Sequence, residues 1–313
     1  MSDAGIPAAL PVAAVQMEAR REHSIDEFRA HVADLVSEAV AQGAELVLLP
    51  ELSTTGLLAT HPRVDELTVK EVGQAWRDVF PALTEQVTEV FRSLAVQHGV
   101  WLAGGSHWRR AEDGSYRNTA YLAHPDGRMD SQDKLHLTWP EEDLGTTAGD
   151  RVGLFDVRGI KVAIQTCADV EFAEVTRALV TAGADVILCP SMTWNSRGAS
   201  RVRASCLARS VEQQVFVVQS PMIGSSDIPR GAAMFGKGRA RITVPIDRSF
   251  GVNDGVVAEA RSTDEAVVTA TLDVEKARRT RVDSDSIGVR HARPELYRNL
   301  EVDVGGGIGV ALS

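Results

Sequence analysis

Seven short apolar segments recur along this chain with helix-forming stretches set between several of them, and that alternation most narrows the folds open to it. They read PVAAVQM, ELVLLP, VWLAGG, NTAYLAH, KVAIQT, DVILCP and VFVVQS. Each has the length and the Val, Ile and Leu content of a buried strand. Ser24, Ile25, Asp26 and Glu27 form a capping box that opens a helix ending near Gly43, with Phe28, Val32, Leu35 and Val40 on one face. A second helix is expected over Ala82 to Gln97, and others after Cys167 and after Arg197. The turn sequences HPDGR and VRGIK add hairpins, so antiparallel pairs join the sheet. The class is α/β, with helices covering sheets.

Three expected strand ends carry a residue that a buried strand end would otherwise avoid. Leu46 to Leu49 is stopped by Pro50, and Glu51 follows with Ser53, Thr54, Thr55 and Gly56 behind it. Lys134 precedes Leu135, His136 and Leu137. Val162, Ala163 and Ile164 lead through Gln165 and Thr166 to Cys167, with Asp169, Glu171 and Glu174 suited to the first turn of a helix. A thiol at a helix N-terminus is expected to have a lowered pKa, because the thiolate gains from unpaired N–H groups and the helix dipole. Singly, each has an ordinary reading: a loop carboxylate, a surface lysine, a packed cysteine.

Glu51, Lys134 and Cys167, in this order at three strand ends, resemble the catalytic triad of the nitrilase superfamily of carbon–nitrogen hydrolases. The resemblance spans nearly the whole chain, from PVAAVQM through LVLLPELSTTG, RNTAYLAHPDGRMDSQDKLHL, the Cys167 elbow, GADVILCPS and ARSVEQQVFVVQSPMIG to GRARITVPIDRSFGVNDGVVAEA. It implies an αββα four-layer sandwich and attack of a thiolate on an amide-type carbon. Glu51 would be the general base and Lys134 would stabilise the oxyanion together with the backbone N–H of Ala168. Many members carry a second glutamate after the lysine. Glu142, eight residues beyond Lys134, has the aliphatic amidase spacing, and Glu141 is the alternative because loop length differs among branches. Ala168 and Ala173 stand where many amidases have Tyr or Asp and Pro, and Ala168, Asp169 and Val170 stand where nitrilases have Trp-Glu-Asn. That disfavours nitriles and favours amides, ω-amides or N-carbamoyl compounds. The segment SMTWNSRGASRVRASCLARS lies where the family builds a specificity loop, so Trp194, Arg197 and Arg201 are candidate substrate contacts. An acyl transferase with the same thioester, or a binding module retaining the fold without chemistry, are the alternatives.

The remaining sequence features set limits. The 313 residues contain no Pro/Ser-rich linker or repeat, and they read as one domain, 1–313. Residues 1–9 read as a polar tail, and 291–313 as a C-terminal extension resembling the family tail that crosses to a neighbouring subunit; at least a homodimer is expected. Net charge is −10, which disfavours a nucleic-acid partner. No apolar run reaches a membrane span and no signal-peptide pattern opens the chain, so a cytoplasmic protein with no membrane partner is expected. Three cysteines, Cys167, Cys189 and Cys206, make no disulfide framework. The eight histidines form no metal-binding pattern and no phosphate-cradling glycine motif follows a strand, so neither metal nor cofactor is expected.

Overall fold

The structure is a computed structural model, and residues 9–231, 235–285 and 289–298 are described. Residues 1–8 of the expected tail and 299–313 of the expected extension lie outside the described residues, while Ala9 opens the first strand.

The first half of the chain runs β1 (Ala9–Glu18), α1 (Ile25–Ala41), β2 (Leu46–Leu48), α2 (Val72–His98), β3 (Trp101–Arg110), β4 (Tyr116–Ala123), β5 (Met129–Asp133) and α3 (Trp139–Asp143). It continues with β6 (Phe155–Val157), β7 (Ile160–Ile164), α4 (Ala173–Thr181), β8 (Val186–Met192), α5 (Ser196–Gln213) and β9 (Phe216–Ile223). Then come β10 (Arg241–Thr243), β11 (Val256–Glu259), β12 (Ala266–Asp273), α6 (Val274–Thr280) and α7 (Pro294–Arg298). One sheet has the order β5-β4-β3-β2-β1-β12 and the other β11-β10-β9-β8-β7-β6. Among the described residues the two sheets are joined by strand pairing at the ends of β1 and β9, where Met17 pairs with Met222 and Glu18 with Ile223.

Side-chain alternation divides the core into three layers. In β1, Val12 and Ala14 point between the sheets while Ala13, Val15 and Met17 point toward α1 and α2. In β8, Val186 and Leu188 join the inter-sheet layer, and Ile187 and Cys189 pack under α4 and α5. Because strands of both sheets are covered on both faces, they read as continuous apolar runs. The result is the expected αββα sandwich.

Local expectations hold at several places. Ser24 caps α1, its hydroxyl accepting from the Glu27 N–H at 3.1 Å. HPDGR and VRGIK join the antiparallel pairs β4/β5 and β6/β7. Two elements are longer than the sequence implies. Helix α2 begins at Val72 instead of Ala82 and passes through Pro81, because Ala75, Trp76, Val79 and Phe80 are buried and their packing outweighs a proline cost of about 3 kcal/mol. Strand β8 passes Pro190 and ends at Met192. Its pairing with β7 stops at Leu188 while its pairing with β9 continues to Met192, so the proline faces a locally open edge where no N–H is needed.

Candidate active site

Glu51, Lys134 and Cys167 arrive at one place from three strand ends. Leu49 and Pro50 carry the chain from β2 to Glu51, Lys134 directly follows β5, and Cys167 lies three residues beyond β7. Strand β3 passes close beneath the first of these. A Cβ on Gly105, which has φ +72°, would sit 1.8 Å from the Pro50 carbonyl oxygen, so only glycine fits there. Next to it the Leu52 N–H donates to Ser106 Oγ at 2.9 Å. The turn bearing Glu51 is thereby pinned to the sheet.

The Lys134 ammonium donates to Glu51 Oε1 at 2.8 Å and to Glu141 Oε2 at 2.6 Å. The three side chains are only 1%, 3% and 8% exposed, for Lys134, Glu51 and Glu141 respectively. Asn118, from β4, bridges the carboxylates with its amide, donating to Glu51 Oε1 at 3.0 Å and to Glu141 Oε1 at 2.8 Å. Glu51 Oε2 accepts from the Met192 N–H at 2.8 Å, and Glu141 Oε2 also accepts from the Thr138 hydroxyl and N–H at 2.7 and 2.9 Å. The Cys167 thiol lies 3.8 Å from the Met192 carbonyl oxygen. The end of β8 therefore touches both Glu51 and the sulfur, which is the consequence of the strand running through Pro190.

Of the two glutamates considered after the lysine, the structure brings Glu141 to Lys134. Glu142, favoured by spacing, is exposed on α3. The capping geometry of this short helix decides the matter: Glu141 occupies the third helical position and folds back on the Thr138 cap, which aims its carboxylate inward.

Charge in the cluster is unevenly shared. Burial pushes the Glu51 carboxyl above its usual range, with Lys134 opposing and the Glu141 charge adding to the rise. Burial acts the same way on Glu141, but Lys134 and Asn118 outweigh it and hold this group below the usual range. Burial disfavours the Lys134 cation, yet Glu51 and Glu141 together hold its pKa above the ordinary lysine value. The expected lowering of the Cys167 pKa does not occur. Burial and then the Glu51 charge push the thiol well above its usual value, against the pull of Lys134. Cys167 has φ +50° and opens a short 3-10 turn, Cys167–Glu171, and α4 begins only at Ala173. The helix terminus is thus displaced from the sulfur.

Asp169 ties two arms of the site together. Its buried carboxylate accepts from the N–H groups of Leu135 at 3.2 Å and His136 at 2.7 Å, just after Lys134, and from the Thr166 N–H at 3.2 Å, just before Cys167. His136 Nδ1 lies 2.9 Å from the same carboxylate, and its ring stacks on Phe172. Neither this role of Asp169 nor that of Asn118 was anticipated. A hint for Asn118 lies in the sequence, since an amide inside the apolar segment NTAYLAH needs buried partners.

The cluster forms the floor of a cavity of about 790 Å³. Ala168, Trp194 and Arg201 line it, whereas Arg197 is exposed and is not among the lining residues. Arg201 Nε is 3.6 Å from Glu171, another wall residue. The sequence model of the family described as Carbon-nitrogen hydrolase matches residues 11–282. The chain belongs to the carbon–nitrogen hydrolase family. It is 33% identical over 289 residues to a protein called probable hydrolase YhcX of Bacillus subtilis, covering 91% of this chain and 54% of that protein. This chain thus spans about half the length of that relative. It is 28% identical over 270 residues to the 2-oxoglutaramate amidase of B. subtilis, covering 85% of this chain and 91% of that one. Among solved structures, Nit3 of Saccharomyces cerevisiae, described as a member of the nitrilase superfamily, superposes with a TM-score of 0.70 at 19% identity, covering 87% and 93% of the two chains. A double mutant of the amidase from Nesterenkonia sp. AN1, in complex with acrylamide, gives 0.72 at 20% identity, covering 93% and 97%. These structures share the fold.

Among the described residues no group of three or more His, Cys, Asp or Glu side chains is arranged to hold a metal, and no helix is long and apolar enough to cross a membrane.

Proposed function

We propose that this chain hydrolyses a non-peptide C–N bond of a small amide-type molecule through a thioester on Cys167. The observation that carries the reading is a buried ammonium held between two carboxylates on the floor of a cavity that also exposes a thiol. In the resting site the thiol keeps its proton, so attack is coupled to proton transfer. Glu51, its pKa raised by burial, accepts the thiol proton as the sulfur adds to the carbonyl carbon. Of the three N–H groups of Lys134, two are engaged by Glu51 and Glu141, and the third is available to the oxyanion together with the Ala168 N–H. Collapse of the tetrahedral intermediate returns the proton from Glu51 to the departing nitrogen. Glu51 then takes a proton from the water that cleaves the thioester. Glu141 is a positioning residue, because it reaches the reaction only through Lys134 and Asn118.

The amidase names carried by family relatives, such as the 2-oxoglutaramate amidase, support amides as the substrate class. The test is release of ammonia or amine from a panel of amides, ω-amides, N-carbamoyl amino acids and nitriles, with Cys167→Ala alongside. Release from amides that vanishes in the variant is expected. A folded protein that releases nothing, and whose Cys167 is inert to iodoacetamide, would overturn the reading.

A further inference from the structure

The cavity is much larger than the group that the reactive cluster handles. A carboxamide has three heavy atoms beyond its substituent, whereas a volume of about 790 Å³ falls in the range of pockets for drug-sized ligands, roughly 300–1,000 Å³. Above the polar floor its walls are largely apolar: Val69, Val72, Trp76, Trp108, Leu144 and Trp194 all contribute. Two of these are large hydrophobic side chains left open to solvent, Val69 at 74% and Trp194 at 37%. Trp139, 84% exposed, stands between the wall residues Thr138 and Pro140. Apolar surface gathered in the wall of one concave site marks a place where apolar matter binds.

Two of the cations in the wall already face carboxylates of the protein. Lys134 is committed to Glu51 and Glu141, and Arg201 lies beside Glu171. Among the described residues Lys70, which is exposed, is the remaining lysine or arginine in the wall. Among the described residues the lining carries four acidic groups, Glu51, Glu141, Asp143 and Glu171, against these three basic ones, so its side chains carry no net positive charge to draw an anion inward.

We infer that the substrate is an uncharged amide with a bulky apolar body, its carboxamide seated on the Glu51–Lys134–Cys167 floor and its alkyl or aryl part lying along the Val72, Trp76, Leu144 and Trp194 wall. This deepens the hydrolase reading and rests on it. Selectivity then comes from area removed from water. Each methylene buried between the reactive carbon and the mouth raises kcat/KM about fourfold, the equivalent of about 0.8 kcal/mol.

The test is a homologous series of primary amides from acetamide to octanamide, with phenylacetamide, 4-phenylbutyramide and monoamides of dicarboxylic acids of matched length. Turnover is measured on the unaltered protein. Binding is measured separately from tryptophan fluorescence of Cys167→Ala, since Trp76, Trp108 and Trp194 line the cavity. Rising kcat/KM and tighter binding with chain length, both reduced by a terminal carboxylate, are expected. Val69→Asp and Trp194→Ala, both at exposed positions, should flatten the slope. Turnover that is flat with chain length, or highest for the carboxylate-bearing amides, overturns the inference and leaves the hydrolase reading standing. Binding that strengthens with chain length without any turnover overturns the assignment of these amides as substrates, and only a Cys167 that is also inert to iodoacetamide would take the hydrolase reading with it.

Discussion

Lys134 and His31 are each held between two carboxylates, and the two clusters behave alike electrically. His31 Nδ1 is 2.8 Å from Glu22 and its Nε2 is 2.7 Å from Glu265, much as Lys134 contacts Glu51 and Glu141. In each, burial raises one carboxyl, Glu22 or Glu51, while the other, Glu265 or Glu141, is held low despite burial by its bond to the cation and by other donors. Their surroundings differ. The His31 cluster meets backbone: the Glu22 N–H donates to the Gly56 carbonyl at 3.0 Å, and a Cβ on Gly56 would sit 2.3 Å from the Arg20 carbonyl oxygen. It fastens the segment after β1 to the 3-10 turn Thr55–Thr60, downstream of Glu51. The Lys134 cluster meets a thiol and a cavity. A cation between two carboxylates is therefore no signature of chemistry by itself; a nucleophile and room for a substrate make the difference.

The comparison can be broken most sharply at its two centres. Lys134→Ala leaves two buried carboxylates without a counter-charge and, on the proposed mechanism, removes an oxyanion donor. The expected loss is about 100- to 1,000-fold or more in kcat and about 3–5 kcal/mol in stability, read by steady-state kinetics and urea unfolding. Near-normal turnover in a folded variant would remove Lys134 from the chemistry. His31→Phe should instead cost stability and spare the turnover of folded molecules. Its pH signature has a definite sign. The His31 pKa stands at about 9 in the folded chain, because its bonds to Glu22 and Glu265 outweigh a burial that would lower it. A raised folded value means that the His31 contribution, on the order of 3 kcal/mol, is complete below pH 6.5 and is lost as pH climbs through about 9. Unfolding midpoints across that window should fall in the parent chain and stay flatter in His31→Phe. A parallel fall in both would assign the effect to other groups.

The smallest effect sharpens the difference between Glu51 and Glu141. The Glu141 charge helps to raise the Glu51 pKa, so the acid limb of kcat/KM should lie above pH 4.5 and move to lower pH in Glu141→Gln. An acid limb that does not move would mean that Glu51 is not the group titrating in it.

Much of this arrangement was legible along the chain where the signal is local. The α1 capping box, the two hairpin turns and the apolar strands could be read because each depends on neighbours a few residues away. The start of α2 and the end of β8 could not, since in both a proline argues locally for a stop. Only the burial of Trp76 and Phe80, and the release of β8 from β7 beyond Leu188, show why the element continues. The same holds for Glu141 and Glu142. Spacing treats these adjacent carboxylates almost alike, while the fold back onto Thr138 buries one and exposes the other.

Residue order alone was enough for the layered α/β class, because strand periodicity is a property of short segments, whereas Glu51, Lys134 and Cys167 stand out together only through the resemblance to the nitrilase superfamily. The protonation balance of the site was decided by tertiary structure. Glu51 and Lys134 are 83 residues apart and Asn118 and Glu51 are 67 apart, yet they share one buried cluster, and desolvation outweighs the helix-end effect that the cysteine segment suggests. A pKa depends on every charge within a few ångströms and on the water excluded around it, and those neighbours are assembled only when the two sheets and their loops come together.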